Sequence, residues 1–427
     1  MVATVGETWQ LTVPSDPADT IRGVKAPKVL AVASAADLDF RYGCTPAWWQ
    51  LWRALAESGV DLIVTTYRGK AVESPWWRTV PNPLQREAEL YAAGRSLAAR
   101  LRRDEFLRRP EHAPSETTAD RLVREAVWRY VTPRWRSHLE RTLERDGGVD
   151  AVVVFTVPMA HFRGIPTALR ERFDVPVVYY DGDLPMSLPE YGGTDTSGFN
   201  YYVGADPGEY DLVVGNSEGA PERVRELGAR RAEAVHWAAD PELFRPHAAE
   251  KETDVFFYGH SDKFRREWMR EMIGEPSRRL DADFSIGGYD YRGDTGRARD
   301  IGRVPFNAFP QAISSARVNL NITRRAHAEV YASSTCRLFE LASCAAAIVS
   351  NPLSGLERWF EPERELRVVA NADEAVAVYA ELLADPAQAE EMSRAARERV
   401  LDEHTYGHRA RRLLDLLGLG TPVGAGV

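Results

Sequence analysis

Asp254-Val255-Phe256-Phe257-Tyr258-Gly259-His260-Ser261 is a short apolar run that stops on a glycine. A stretch of this length between turn residues reads as a buried parallel strand, Asp254 to Tyr258, with Gly259-His260-Ser261 as the tight turn after it. What precedes it decides the architecture. Asp240-Pro241-Glu242-Leu243-Phe244-Arg245-Pro246 combines two prolines with an acidic turn and reads as an interdomain linker. The strand at Asp254 therefore opens a second α/β unit. A helix follows over Phe264 to Ile273. Phe284-Ser285-Ile286 is a strand ending in Gly287-Gly288, and Val318 to Ile322 and Ala345 to Val349 are further strands.

The same alternation fills the chain before the linker. Strands are predicted at Lys28 to Ala33, Asp61 to Val64, Ala151 to Phe155, Val175 to Tyr180 and Asp211 to Val214. Pro46 to Ser58 reads as a helix closed by Gly59, and residues 83–145, rich in Arg, Glu and Ala, read as a helical insertion. Strands alternating with helices imply parallel sheets covered on both faces. The expected fold class is α/β, with two Rossmann-like, doubly wound parallel-sheet domains facing across a cleft. The expected division is an N-terminal extension at 1–26, a first domain at 27–238, a second at 239–404, and a C-terminal helix and tail at 405–427 whose crossing back to the first domain stays open.

The bulk numbers bound the function. A chain of 427 residues exceeds what one core usually serves. With 44% hydrophobic and 27% charged residues it is of ordinary globular composition. A net charge of -9 argues against a general nucleic-acid binder. No run reaches the roughly 18 apolar residues of a membrane span, and the N-terminus lacks a secretory pattern. The three cysteines, Cys44, Cys336 and Cys344, are odd in number and not at metal-ligand spacing. A cytoplasmic protein with no metal and no resident cofactor is expected. Oligomeric state is not readable. Only five of the 54 basic residues are Lys, so a single Arg carries less functional weight here than usual.

The chemistry-bearing stretch is Ser333-Ser334-Thr335-Cys336-Arg337-Leu338-Phe339-Glu340-Leu341-Ala342. Free N–H groups and the dipole at a helix start favour phosphate. Ser334 and Thr335 are placed to cap or to donate, Arg337 to add a forked charged contact, and Glu340, one turn on, to accept from ribose hydroxyls. The bland alternative is a capped helix with a surface Arg–Glu pair. Gly259 lets a phosphate approach closely. His260, Ser261, Lys263 and Arg265 follow as neutralising or donating groups, Lys263 and Arg265 foremost. In the first domain His161, Asp181 and Asp183 follow strands at their carboxyl ends, where a base or positioning group for an acceptor would lie; capping and turn formation would equally account for them. Trp48 and Trp49, with Trp52, Trp76 and Trp77 nearby in sequence, and Tyr180 are candidates to line an acceptor pocket, against ordinary core packing.

Several segments, in order, resemble one family. Val235 to Pro246 is similar to the linker of two-domain glycosyltransferases. Asp254 to Arg266 resembles the opening strand and phosphate turn of their donor domain. "STCRLFELASCAAAIVSN" resembles a segment of CgeB-like glycosyltransferases, related to the group 1 glycosyltransferases, and "LADPAQAEEMSRAARERVLDEHTYGHRA" resembles their shared tail. The match covers roughly residues 230–412. It implies the GT-B architecture, a nucleotide diphosphate-sugar donor on the second domain, the acceptor on the first, no essential metal, and a relation to retaining enzymes. It also places Arg303, Val304 and Phe306 where relatives hold the base. One departure stands out: many retaining relatives carry two Glu separated by seven residues, and here Glu340 matches the second while the first position is Ala332.

The expected function is a glycosyltransferase of hexosyltransferase type. It would move a sugar from a nucleotide diphosphate-sugar to a small-molecule O, N or S acceptor, with retention and without metal, in specialised metabolism. A non-catalytic nucleotide-sugar-binding or spore-surface protein, and a sugar epimerase of similar shape, are the alternatives. The base, the sugar and the acceptor are not readable. No Gly-x-Gly-x-x-Gly follows the first strand, which weakens a dehydrogenase reading.

Overall fold

The computed structural model describes residues 26–36, 46–70, 72–87, 89, 118–191, 201–260, 264–289 and 293–420. Among the described residues the strands form two wholly parallel sheets. The first holds β1 (Lys28–Ala33), β2 (Asp61–Thr66), β3 (Arg78–Val80), β4 (Ala151–Phe155), β5 (Val177–Asp181), β6 (Leu212–Gly215) and β7 (Ala232–Ala234), in the order β3-β2-β1-β4-β5-β6-β7. The second holds β8 (Thr253–His260), β9 (Phe284–Tyr289), β10 (Arg299–Gly302), β11 (Ala316–Asn321), β12 (Ile348–Ser350) and β13 (Arg367–Val368), in the order β10-β9-β8-β11-β12-β13. Both are doubly wound, and each reverses direction at its opening strand. Such a switch point leaves a crevice beyond the carboxyl ends of the strands.

Strand composition explains the layering. All five residues of β4, Ala-Val-Val-Val-Phe, are buried. A strand covered on both faces needs an unbroken apolar run rather than alternation. Successive side chains still part to opposite faces: Leu30 and Val32 enter a core behind the first sheet, while Val29, Ala31 and Ala33 face a second core. That second core continues through Trp48, Phe155, Tyr180 and Trp237 to Phe256, Phe339 and Ile348 of the other unit, so the two sheets share one apolar joint.

Two sequence readings of glycine need correction. Gly287 and Gly288 do not end their strand; β9 runs on to Tyr289, with Tyr258 opposite Gly287 and Gly259 opposite Gly288. Gly259 is likewise a strand residue and not a turn. A Cβ on Gly259 would sit 2.7 Å from the Phe257 ring, and one on Gly287 would sit 3.0 Å from the Tyr258 ring. These glycines make room for aromatic rings. The helix expected to end at Ile273 also runs further, as Arg266–Met269, a wider turn at Arg270–Gly274, and Glu275–Arg279. Pro276 lies in the first turn of that last piece, where a missing N–H is tolerated.

The chain crosses between the units twice, at Ala239 and again at Thr405, and the crossings pair with each other. Ala239 N–H donates to His404 O at 3.2 Å and Tyr406 N–H to Ala239 O at 3.1 Å. The final helix, Tyr406–Leu417, packs on the Pro46–Glu57 helix of the first unit. Among the described residues no helix is long and apolar enough to cross a membrane.

Candidate functional site

Four segments of the second unit meet at the carboxyl edge of its sheet. Tyr258, near the end of β8, donates from its hydroxyl to Val304 O at 3.1 Å, and its ring lies 4.7 Å from that of Phe309. The Arg337 guanidinium sits 4.0 Å above the Phe309 ring and 5.2 Å from Tyr258. Arg337 Nη1 donates to Glu340 Oε2 at 2.9 Å, with 24% of the Arg side chain exposed against 8% of the Glu. Burial pushes the Glu340 carboxyl up, and Arg337 only partly opposes it. Val304 and Phe306 are half-buried and Arg303 is exposed beside them. The structure thus brings Tyr258, Val304, Phe309, Arg337 and Glu340 to one place, with the Phe306 ring 5.8 Å from that of Phe244. The Arg337–Glu340 pair of the bland alternative is present, with Arg337 stacked on Phe309 and Glu340 nearly buried.

The helix start itself differs from expectation. The helix is Cys336–Ser343, with half-buried Thr335 as its N-cap and no side-chain capping bond. Ser334 is fully buried and its hydroxyl is spent: it donates to Asn216 O at 2.9 Å and accepts from Trp237 N–H at 2.8 Å. Ser333 donates to the Ser217 hydroxyl at 2.7 Å. Glu218 and Gly219 N–H groups donate to Ala332 and Tyr331 carbonyls. Segments 216–219 and 331–334 therefore zip the two units together, and Ser334 is withdrawn as a phosphate donor. Its partners lie 118 and 97 positions away in the chain, beyond any local pattern. Ala332, in place of a family Glu, is fully buried with φ 45°, and its N–H donates to Ser354 O at 2.8 Å.

In the first unit three expectations are overturned by burial. His161 is enclosed, with Nδ1 2.8 Å from the Tyr67 hydroxyl, and burial, helped by Arg68 and Arg124, pushes its pKa down to about 3. Tyr180 is buried and its hydroxyl donates to Val235 O at 2.9 Å. Trp48 packs between Phe155, Tyr180 and Trp237 at centroid distances of 4.7, 5.1 and 4.8 Å. Both rings are core, so neither lines a pocket. Trp49 is half-buried, 5.1 Å from Trp76.

Asp181 is also a core group. It accepts from Ser187 Oγ at 2.5 Å, from the Tyr202 hydroxyl at 2.9 Å and from the Asp183 N–H at 2.9 Å. Burial outweighs these bonds and raises its pKa from 3.8 to about 6. Between those values the unfolded chain has lost the proton and the folded chain keeps it, so stability falls as pH rises through that window. At about 1.4 kcal/mol per unit, the loss is roughly 2–3 kcal/mol. Asp181→Asn cannot ionise and keeps the shape. Urea midpoints taken from pH 4 to 6.5 are expected to fall in the wild type relative to the variant; a constant difference would show that Asp181 is charged throughout.

Asp183, two residues on, faces the other unit. Its Oδ1 pairs with Arg324 Nη2 and lies 3.4 Å from His327 Nε2. Arg324 and His327 are 3.1 Å apart. Burial would raise the Asp183 carboxyl, yet Arg324 and His327 hold it below the usual range. Arg265 is adjacent, its Nε donating to Ile322 O at 2.8 Å, and Arg325 N–H donates to Phe264 O at 3.2 Å. Sequence reasoning missed Arg324 and His327; the signal available was an Arg pair directly after a strand. Of the other expected donor groups, Ser261 and Lys263 lie outside the described residues, and His260 is described in its backbone alone. Among the described residues no group of three or more His, Cys, Asp or Glu is gathered as for a metal.

Residues 265–415 match a family described as glycosyl transferase-like. No curated protein matches the sequence. Sucrose-phosphate synthase from Thermosynechococcus elongatus is similar in structure with a TM-score of 0.59 and 15% identity, over 92% of this chain and 98% of that one. Anabaena HepE in complex with UDP and glucose gives 0.58 at 10% identity, over 92% and 99%. The T4 phage β-glucosyltransferase (BGT) in complex with UDP-glucose gives 0.51 at 11% identity, over 93% and 100%. The two-sheet architecture is the GT-B fold.

Proposed function

We propose that the protein is a glycosyltransferase that takes its sugar from a nucleotide diphosphate-sugar bound on the second sheet. The observation that carries the reading is the meeting of the β8 end, the 303–306 segment, Phe309 and the Arg337–Glu340 pair at one switch point. In this reading Val304 and Phe306 border the base, Glu340 accepts from ribose hydroxyls, and Arg337 and Arg265 stabilise the diphosphate as it leaves. An acceptor O, N or S attacks the anomeric carbon while the bond from that carbon to the β-phosphate oxygen breaks. The acceptor approaches from the face that the diphosphate leaves, which gives retention, and its proton passes to the departing phosphate oxygen. Charged side chains meet the electrostatic demand, so no resident metal is required. A small-molecule acceptor, a hexose as the group transferred and a cytoplasmic role in specialised metabolism complete the proposal.

Thermal unfolding with UDP, GDP, dTDP, ADP and CDP tests it. UDP goes first, since the HepE and BGT structures hold UDP or UDP-glucose. A ligand at a hundred times its Kd stabilises by about 2.7 kcal/mol, so one base is expected to raise the melting temperature clearly. A folded protein that no nucleoside diphosphate shifts would defeat the reading. A second reading, binding without turnover, rests on Ala332. Ala332, fully buried with a left-handed backbone, stands where many retaining relatives carry a Glu. Donor binding with neither transfer nor hydrolysis would favour it.

A further inference from the structure

The contact between Asp183 and the Arg324–His327 pair joins opposite units at the carboxyl ends of β5 and β11, the latter beside the switch point of the second sheet. Asp183 follows β5 of the first sheet; Arg324 and His327 follow β11, the strand beside β8 in the second. A carboxylate held by a guanidinium and an imidazole, with Arg265 next to them, has the surroundings of a bound phosphate oxygen. The His327 side chain is 2% exposed, and its other nitrogen, Nδ1, has no hydrogen-bond partner among the described residues.

We propose that Arg324 and His327 form a diphosphate-binding subsite of the donor, and that Asp183 occupies it as an internal anion until the donor displaces it. This rests on the donor reading above. Displacement breaks a contact between the units and releases a carboxylate at the carboxyl edge of the first sheet, facing the acceptor side. The clasp thereby couples donor arrival to the freedom of the two units to rearrange, and the energy of the internal pair is subtracted from donor affinity.

The two ends of the clasp then have opposite effects. Asp183→Asn removes the competing anion and is expected to tighten inorganic pyrophosphate, and the nucleoside diphosphate found in the thermal screen, by about tenfold in calorimetry. Arg324→Gln is expected to weaken both by at least about tenfold, with Arg324→Lys between. A brace that merely holds the units together would weaken binding in both variants. Weaker binding in Asp183→Asn therefore overturns the proposal. Unchanged binding in both variants, beside normal nucleotide binding by the wild type, overturns the proposal and leaves the donor reading standing. Absence of pyrophosphate and nucleotide binding in the wild type and in Asp183→Asn overturns both. If Arg324→Gln does not fold by urea titration, the sign of the Asp183→Asn change decides alone.

Discussion

Trp48→Ala is expected to cost about 3–5 kcal/mol of folding stability, the range for removing a large buried aromatic side chain. Trp48 is 3% exposed and lies in edge contact with Phe155 and Tyr180. Its third neighbour, Trp237, belongs to the linker, so the ring seals the joint between the units as well as the first core. The surroundings cannot collapse easily into the gap, because strands β4 and β5 fix two of the three neighbours. Gly182 supplies a check on geometry. A Cβ there would meet Trp48 at 2.6 Å and Trp237 at 2.7 Å. Gly182→Ala is therefore expected to destabilise the wild type by about 1–3 kcal/mol through overpacking. It is expected to cost less in the Trp48→Ala background, since one of its two obstacles is gone; a double-mutant cycle read from urea midpoints measures that coupling. If Trp48→Ala left the midpoint unmoved, the ring would be a surface group, and the acceptor-pocket reading of the sequence would return.

Aromatic clustering in sequence signals burial and recognition equally, and only the third dimension separates them. Trp48 meets Trp237 because the linker returns across the first sheet, a contact between residues far apart in the chain. The strands were legible for the opposite reason. Ala151–Phe155 is an unbroken apolar run bounded by turn residues, and it forms β4 with those bounds. Alternation of such runs with helices sufficed for two doubly wound sheets. Glycine was the ambiguous letter: Gly287 and Gly259 looked like strand ends and serve as clearance for the rings of Tyr258 and Phe257. The site divided along the same line. Arg337 and Glu340 are three apart on one helix and pair as spacing suggests. Ser334 shared their segment but spends its hydroxyl on Asn216 and Trp237. Asp183 stands out by its place after a strand, while its partners Arg324 and His327 come from the other sheet, and no local pattern links them.

Arg337→Ala is expected to lower turnover by about 10²–10³, the effect of removing one preorganised group that faces developing charge. Affinity for the nucleoside diphosphate is expected to fall roughly ten- to a hundredfold, as for loss of a charged hydrogen bond. Preorganisation is what makes the effect large. The guanidinium is stacked 4.0 Å over Phe309 and tied to Glu340 at 2.9 Å, so it need not be ordered when the donor arrives. A lysine lacks the planar fork that stacks and pairs this way, and Arg337→Lys is expected to recover only part of the loss. Under the proposed roles Glu340→Gln separates the two: it leaves the cation in place and is expected to weaken the grip on the ribose. It is therefore expected to act mainly on KM, where Arg337→Ala acts on kcat as well. Calorimetry with the nucleoside diphosphate decides first. Unchanged affinity in Arg337→Ala would place the diphosphate elsewhere and reduce the Arg337–Glu340 pair to a structural contact at the joint.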